Sequence, residues 1–481
     1  MTAIRHDTLI ERTDGVNDVT TDFKPYAFQE VGIRWLQQLP RAGVLADDMG
    51  LGKTSEVILA STRRRDKRVL VVTLNSARRV WINEFKKCAP HVRVVTIDAW
   101  TMTDAQRKSA ILDKSYQYVI INYQLMLKYV STLQRVYWDV VVFDEAHRLS
   151  NRASQTHKAS RLLTRKNATK QVWFCTGTPV ENHIEEYWPY LRVCSSEFGS
   201  YWEYAERYAK IENVIHPYTK AVLGRVVSNP DPDDPRLAEL VEKIRPFVLR
   251  RTKEMVYPDM PEKTYTRVPL TMSPDERKMY TRMETKMRVT LPTGDEILCD
   301  SELSQSTRLL QLCVDWQLLL GESCRSLTLR GTKADALLET IEQLNGRPFV
   351  VFSQWSRAID MLGNRLRKEN VSFRTFTGEN AETRDRGLDE WNAGKAQGLL
   401  VTIQAGGTGL DFTHASDAFF LDRSWNPKLN EQAEDRLHRH GQTRPVIVKD
   451  FYFEDSREEV VMDVLDGKTE ISDAVVGELE E

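Results

Sequence analysis

The sequence has few of the residues that build metal centres or disulfide frameworks. Its six cysteines are scattered without C-x-x-C spacing, and its nine histidines form no ligand cluster. This pattern argues against a zinc site and against a disulfide scaffold. We therefore expect no zinc and a reducing environment for the cysteines.

Long apolar runs and an excess of charge are also missing. No apolar run approaches the roughly 20 residues that span a bilayer, and the polar first 22 residues lack the apolar core of a secretion signal. We expect no membrane partner and an intracellular location, in the cytoplasm or nucleoid, or in the host cytoplasm for a viral protein. The net charge is −2, so any nucleic-acid contact needs a local basic surface.

A phosphate-binding loop stands out against this background. Gly50 and Gly52 allow a tight turn with backbone N–H groups near phosphate oxygens, Lys53 can reach the β- and γ-phosphates, and the Thr54 hydroxyl can bind Mg²⁺. The general pattern has glycine where this chain has Asp47, so a simple glycine-rich turn is the alternative. The predicted ATP-binding segment is Asp47, Asp48, Met49, Gly50, Leu51, Gly52, Lys53 and Thr54.

A second motif places two carboxylates after an apolar run. Residues 140–143 read Val-Val-Val-Phe and are followed by Asp144 and Glu145. At a strand end Asp144 can hold Mg²⁺, and Glu145 can accept the proton of an attacking water. A solvated Asp-Glu pair is common by itself, but together with the Lys53 loop it indicates a hydrolytic site that uses ATP and Mg²⁺.

Short β-branched runs alternate with helical patterns in two stretches, which is typical of parallel α/β sheets. We predict lobes over 25–194 and 333–455, helical insertions and a linker over 195–332, an N-terminal extension over 1–24 and an acidic tail over 456–481. The predicted strands are Val69–Thr73, Tyr118–Asn122, Asp139–Phe143, Gln171–Cys175, Pro348–Phe352, Phe373–Phe376, Leu399–Ile403, Ala418–Asp422 and Val446–Phe451.

Two arginines near the end of the second lobe suit phosphoryl chemistry. Arg436 and Arg439 are three residues apart, which on a helix places them on one face. Planar, always ionised guanidinium groups fit a developing phosphoryl charge, so we predict that they act as arginine fingers. A solvated basic helix face is the alternative.

The motifs together resemble the Swi/Snf family of helicase superfamily two, which are double-stranded-DNA translocases. The resemblance runs from about Phe23 to Phe453 and is closest to a compact form without accessory domains, as expected for a prokaryotic or phage protein. Besides the phosphate loop and the acidic pair, it is carried by segments 26–29, 176–179, 246–253, 351–354, 405–410, 422–427 and 432–442.

The resemblance implies an α/β fold with two RecA-like parallel-sheet lobes and helical insertions between them. It implies that Gln29 reads adenine, and that hydrolysis is coupled to movement through Thr176, Gly177, Thr178, Trp425 and Gln432. Leu74 and Glu181 depart from the family pattern at DNA-facing or coupling positions. The predicted DNA-binding residues are Ser76, Arg78, Arg79, Gln404, Gly407 and Thr408.

The predicted function is an ATP-driven motor that translocates along, or remodels, double-stranded or forked DNA. Two alternatives stay open: a strand-separating DNA or RNA helicase, and a non-catalytic DNA-binding clamp. Trp425-Asn426-Pro427 and Gly441-Gln442 favour the translocase over the helicase. The intact Lys53 loop, acidic pair and arginine pair speak against the clamp.

Overall fold

The computed structural model describes residues 23–75, 77–99, 101–177, 184–215, 222–230, 234–377, 381–406 and 411–466. Four predicted site residues, Ser76, Thr178, Gly407 and Thr408, lie outside these ranges, as do most of the predicted extension over 1–24 and the end of the predicted tail. The described chain forms two compact units, which divide between Pro258 and Asp259.

The first unit is built on a seven-stranded parallel sheet, and a separate antiparallel hairpin (β7 and β8) lies outside this sheet. The strand order across the sheet is β3-β4-β2-β5-β6-β1-β9. The strands are β1 (Ala42–Leu45), β2 (Val69–Thr73), β3 (Val94–Thr96), β4 (Tyr118–Asn122), β5 (Trp138–Asp144), β6 (Thr169–Cys175), β7 (Lys210–Ile215), β8 (Val222–Ser228) and β9 (Val248–Leu249).

Helices cover both faces of this sheet, because its strands are apolar on both sides. Alternate β5 residues enter two different buried clusters, Val141 and Phe143 on one face and Val140 and Val142 on the other. The helices are α1 (Ala27–Gln38), α2 (Lys53–Arg63), α3 (Arg78–Cys88), α4 (Asp104–Leu112), α5 (Tyr123–Leu133), α6 (Gln155–Leu163), α7 (Trp188–Cys194), α8 (Tyr201–Tyr208), α9 (Pro235–Ile244) and α10 (Lys253–Val256).

The second unit has a six-stranded parallel sheet in the order β10-β17-β16-β13-β15-β14 and an antiparallel hairpin of β11 and β12. Its strands are β10 (Lys263–Leu270), β11 (Arg288–Thr290), β12 (Glu296–Leu298), β13 (Phe349–Ser353), β14 (Phe373–Phe376), β15 (Gly398–Thr402), β16 (Asp417–Phe420) and β17 (Val446–Phe453). Its helices are α11 (Pro274–Lys286), α12 (Glu302–Val314), α13 (Thr332–Gln343), α14 (Ser356–Lys368), α15 (Ala381–Asn392), α16 (Ile403–Gly406) and α17 (Pro427–Glu434).

The predicted fold class of two parallel-sheet α/β lobes is confirmed, and every predicted strand is present. The stretch 195–332 is not purely helical, however. It supplies β9 to the first sheet and β10 to the second, besides the two hairpins. Residues up to Pro258 group with the first unit and those from Asp259 with the second, whereas the predicted boundaries at 194/195 and 332/333 stay predictions.

Within the described ranges, no helix combines the length and the apolar character that a bilayer crossing needs.

Candidate nucleotide site

The phosphate loop lies between β1 and α2 and has the backbone geometry that a phosphate group requires. Gly50 and Gly52 have φ angles of 91° and 86°, in the left-handed region that glycine adopts without strain. α2 begins at Lys53, so its first N–H groups and its positive dipole end face the loop. The Lys53 Nζ donates to the carbonyl oxygens of Asp47 and Asp48. The carbonyl oxygens of the loop therefore hold the Lys53 ammonium group within the loop, where the lysine of a phosphate-binding loop belongs.

Gln29, the predicted adenine reader, contacts this loop directly. Its Nε2 donates to the Leu51 carbonyl at 3.0 Å, and its Oε1 accepts from the Tyr26 N–H at 3.0 Å. A Cβ atom placed on Gly52 would lie 2.3 Å from Gln29 Nε2. Glycine at position 52 is thus favoured by its left-handed backbone angle, and a side chain there would also displace the Gln29 amide.

Asp47 contributes its backbone to the loop, whereas its carboxylate faces away into the protein. The Asp47 side chain is fully buried and accepts from Arg251 Nε at 2.9 Å and from its NH2 group. Arg251 also donates to both carboxylate oxygens of Glu56, at 2.8 and 2.9 Å. The Asp47 carboxylate is therefore engaged within the protein, and contact of this residue with ATP through its backbone stays a prediction.

This cluster of Asp47, Arg251 and Glu56 joins three segments of the first unit. Burial raises the pKa of the Glu56 carboxyl to about 8; the charge of Arg251 opposes this shift, and the negative charge of Asp47 adds to it. Burial would lower the pKa of Arg251, but the two carboxylates raise it above its ordinary value. The cluster holds one charged arginine between two buried carboxyl groups, and it fixes the loop to α2.

The neighbouring Arg250 fixes the same loop from its other side. It pairs with Asp48 at 3.1 Å and donates to the carbonyl oxygens of Ala46 and Gly177, at 2.8 and 3.3 Å. A Cβ atom on Gly177 would lie 2.9 Å from the Met49 side chain. The predicted coupling residue Gly177 therefore lies against the phosphate loop.

The acidic pair lies at the end of β5, where Asp144 is held by two neutral donors. Its Oδ2 accepts from the Thr73 hydroxyl and from the Trp81 indole N–H, both at 2.7 Å. Its Oδ1 accepts from the Glu145 N–H at 3.1 Å. These donors leave the carboxylate fixed in direction, which suits a metal ligand.

Glu145 follows with an unusual backbone conformation. Its φ angle is 52°, and a residue other than glycine in this region points to a functional constraint. The Tyr123 hydroxyl donates to the Asp144 carbonyl at 2.8 Å, and His147 Nδ1 lies 3.4 Å from a Glu145 carboxylate oxygen. This left-handed residue separates β5 from the short helical turn Ala146–Leu149 that follows it.

Strand register brings these elements to one edge of the sheet. Leu45 at the end of β1 and Asp144 at the end of β5 both lie opposite Cys175 at the end of β6. Five adjacent strands deliver site residues from their carboxyl ends, the place where open α/β sheets bind ligands. These residues are Thr73 at the end of β2, Asp144 at the end of β5, Thr176 after β6, the phosphate loop after β1, and Arg250 with Arg251 after β9.

The residues at this edge fit ATP and Mg²⁺ in their donor types. The loop offers backbone N–H groups and a lysine, and Thr54 and Asp144 offer the oxygen ligands that Mg²⁺ prefers. In the described part of the chain, no three His, Cys, Asp or Glu side chains gather into a set that could hold a metal by themselves. This is expected for Mg²⁺, which keeps several waters and uses few protein ligands.

The predicted arginine fingers lie in the second unit, in a turn rather than on a helix. α17 ends at Glu434, whose carbonyl accepts from both the Leu437 and His438 N–H groups. The Arg436 carbonyl accepts from the Phe412 N–H at 2.9 Å, a hydrogen bond to a different segment of the unit. The expectation of one helix face is therefore wrong, and Arg436 is buried, unlike a solvated basic face.

Other predicted residues of the second unit lie at the carboxyl ends of its strands. Burial raises the pKa of Asp422, which accepts from the Ser353 hydroxyl and the Gln354 N–H. Trp425 lies two residues before α17 begins at Pro427 and is half-buried, with the Arg457 guanidinium 5.6 Å from its ring. Gln432 lies on α17, and Gln404 is exposed on α16.

The predicted DNA contacts of the first unit differ in their environment. Arg78 pairs with Asp98 at 2.9 Å and donates to the Ile97 carbonyl, so its guanidinium is engaged within the unit. Arg79 is exposed at the start of α3. DNA binding by either residue stays a prediction, and Arg79 is the more accessible of the two.

Comparison with known families agrees with this geometry. Residues 28–318 match the SNF2-related domain, and residues 332–441 match the helicase conserved C-terminal domain. The chain belongs to the SNF2-related family. The predicted Swi/Snf resemblance and the class of a helicase-like ATPase core are therefore confirmed.

Two curated relatives show how much of a longer protein this SNF2-related chain represents. An uncharacterised ATP-dependent helicase of Mycoplasma genitalium is 26% identical over 461 residues, which are 92% of this chain and 41% of that protein. The ISWI chromatin-remodeling complex ATPase ISW1 of Saccharomyces cerevisiae is 27% identical over 485 residues, 95% of this chain and 41% of that protein. The chain spans about two fifths of the length of these relatives.

This SNF2-related chain is also similar to a solved structure, the SWI2/SNF2 ATPase core of Sulfolobus solfataricus in complex with dsDNA. The two chains are 25% identical, and the match covers 97% of this chain and 95% of that chain, with a TM-score of 0.46.

The structure of this SNF2-related chain adds site residues that sequence reasoning did not assign. Trp81, Thr73 and Glu56 carry no motif signal, because a buried tryptophan, a strand threonine and a helix glutamate are common core or surface residues. Arg250 and Arg251 lie in a segment that contributed to the family resemblance, but their spacing does not reveal contacts with a loop some 200 positions earlier.

Proposed function

We propose that the chain hydrolyses ATP at the carboxyl edge of the first sheet and uses the energy to move along or remodel duplex DNA. The main supporting observation is that Leu45 and Asp144 both lie opposite Cys175 in the sheet. This shared register supports a phosphate loop and an acidic strand end on either side of one position. This arrangement offers a phosphate clamp and a metal ligand to the same nucleotide.

The proposed roles follow from the contacts of each residue. We expect the Lys53 ammonium to exchange the Asp47 and Asp48 carbonyls for phosphate oxygens. The Thr54 hydroxyl and the Asp144 carboxylate would hold Mg²⁺, which would offset the charge on the phosphoryl oxygens. Glu145 would orient the attacking water and accept its proton.

Coupling to movement is proposed for the residues next to the loop. Gly177, Ala46 and Asp48 all contact Arg250. A change at the bound phosphates would therefore also alter the contacts of the segment that follows β6. Thr176, Trp425 and Gln432 keep their predicted coupling role. Arg436 and Arg439 keep their predicted role in stabilising phosphoryl charge.

DNA is proposed as the track for two reasons. The family resemblance is to double-stranded-DNA translocases, and one relative is named as a chromatin-remodeling complex ATPase. Since the chain has a net charge of −2, the grip must come from local groups on the phosphate backbone rather than from overall charge, and binding should be largely independent of sequence.

One ATPase assay separates this proposal from its two alternatives. Turnover is measured without nucleic acid, then with duplex DNA, single-stranded DNA and RNA, with Lys53→Ala as the inactive control. A duplex-DNA translocase is stimulated most by duplex. Stronger stimulation by single-stranded DNA or RNA would instead indicate a strand-separating helicase, and no turnover with any of them would indicate a clamp.

A further inference from the structure

A cavity of about 520 Å³ lies on the first unit, between α6, α7 and the start of β1, and its charged lining is entirely cationic. No aspartate or glutamate belongs to this lining, all of which the structure describes. The cationic side chains are those of Arg41, Lys158, Arg161, Arg165, Lys166 and Arg192.

These six cations lack the ion pairs that other basic residues of the unit form. Exposed Lys108 pairs with Asp104 at 2.7 Å, and exposed Arg225 pairs with Glu206 at 3.0 Å. Among the described residues, no carboxylate forms an ion pair with any cation of the cavity. A chain with slightly more acidic than basic residues therefore leaves a concave group of positive charges uncompensated.

The positive charges are close enough to affect one another. Burial lowers the pKa of Arg192, and the charge of Arg161 lowers it further. The pKa of His157 in the same wall is also lowered, chiefly by burial and further by the charges of Arg161 and Arg192. A hydrogen bond to the Leu149 carbonyl opposes this shift. Arg192 is held in place with its guanidinium 4.6 Å from the Trp188 ring. An anion between these groups would relieve their repulsion.

The cavity is separate from the nucleotide loop. Arg41 lies just before β1, whereas the phosphate loop follows β1, and a strand of four residues is about 13 Å long. The Arg41 guanidinium donates to the carbonyl oxygens of Thr169 and Lys170 at the start of β6. The cavity thus reaches the amino edge of the sheet, opposite the edge where the nucleotide site lies.

We propose that this cavity binds a ligand carrying several phosphate groups. Guanidinium groups match phosphate oxygens in pairs, and the cavity volume lies within the range of about 300–1,000 Å³ for ligand sites. The phosphates come from one of two sources, a free polyphosphate or the backbone of a nucleic acid. The proposal goes beyond the ATPase function and does not depend on it.

The test uses the full chain with Lys53→Ala, so that the nucleotide loop contributes little to anion binding. Binding of inorganic tripolyphosphate and of a short DNA duplex is measured by calorimetry, each alone and in competition. The variant replaces Arg161, Arg165 and Lys166 by glutamine. The matched control replaces Lys108 and Lys128, exposed cations of the same unit that lie near Asp104, by glutamine.

We expect the triple variant to bind at least one of the two probes about tenfold more weakly, while the control variant is unchanged. If the duplex displaces tripolyphosphate, the nucleic-acid backbone is the source of the bound phosphates. If tripolyphosphate stays bound in the presence of duplex, a free polyphosphate is the source. All three side chains are exposed, so the variant should melt as the parent does. Equal affinities of parent and triple variant for both probes would overturn the proposal.

Discussion

Replacing Arg251 by methionine should destabilise the first unit and weaken nucleotide binding together. Methionine fills part of the volume but leaves Asp47 and Glu56 without their cation, although both side chains are fully buried. Removing one partner of a buried ion pair costs about 3–5 kcal/mol, because the remaining charge is buried without compensation. Since Asp47 also supplies a backbone oxygen to Lys53, its displacement should loosen the phosphate loop.

The loss should depend on pH with a defined sign. The pKa of Glu56 is about 8 in the folded chain, against an ordinary value of 4.5. A carboxyl group with a raised folded pKa contributes stability that is complete below pH 4.5 and is lost as the pH rises towards 8. Without the Arg251 charge, Glu56 ionises less readily still, so the part of the variant's deficit that comes from Glu56 should stay constant from pH 4.5 to about 8 and grow above pH 8.

Hydrogen–deuterium exchange of α2 peptides, with urea unfolding and nucleotide titration, measures these effects. The matched control is Arg423→Met in the second unit, where Arg423 is buried between Glu434 and Asp450. We expect the control to destabilise the second unit by a similar amount and to leave nucleotide affinity unchanged. A loss below about 1 kcal/mol for Arg251→Met, or equal losses of nucleotide affinity in both variants, would refute the reasoning.

Four further predictions concern turnover and the track. Glu145→Gln should keep ATP binding and lose about 10²- to 10⁴-fold in turnover, as expected for a general base, and near-normal steady-state turnover would remove that assignment. Trp81→Phe should raise the Mg²⁺ concentration needed for half-maximal nucleotide binding, because Asp144 loses a donor. Trp138→Phe should not, because Trp138 lies at the other end of β5 and its indole donates to the Leu133 carbonyl. Arg439→Ala with saturating duplex should lower kcat by up to about 10³- to 10⁵-fold with little change in nucleotide affinity, whereas a normal kcat would favour a solvated basic group. The chain should displace the third strand of a triplex in an ATP-dependent, salt-sensitive way, and robust unwinding of a plain fork would favour the helicase.

Much of the fold could be predicted from the sequence, because parallel strands that are covered on both faces have continuous apolar runs. Val69–Thr73 and Tyr118–Asn122 are present with the predicted bounds. Strands that are short or lie at a sheet edge, such as β9 and β10, escaped prediction. β9 has two residues, and β10 is largely exposed along one side, so neither shows the apolar run of a central strand.

Local chemistry was likewise determined by the sequence. A glycine-rich turn ending in Lys53 and Thr54, and a strand ending in Asp144 and Glu145, depend on neighbouring residues, and the structure retains both as local motifs. Even so, residue spacing misplaced Arg436 on a helix, because α17 ends at Glu434 and the Arg436 carbonyl bonds Phe412, 24 positions earlier.

Only the tertiary structure decided how these motifs are supported. The direction of the Asp47 carboxylate depends on Arg251, which enters from β9, and the orientation of Asp144 depends on Trp81 from α3. The cationic cavity likewise brings together Arg41 and Arg192, which lie about 150 positions apart in the sequence of the first unit. Hydrogen bonds and charge interactions act over a few ångströms in space, whatever the separation along the chain, so their partners are known only once the sheet order and register are known.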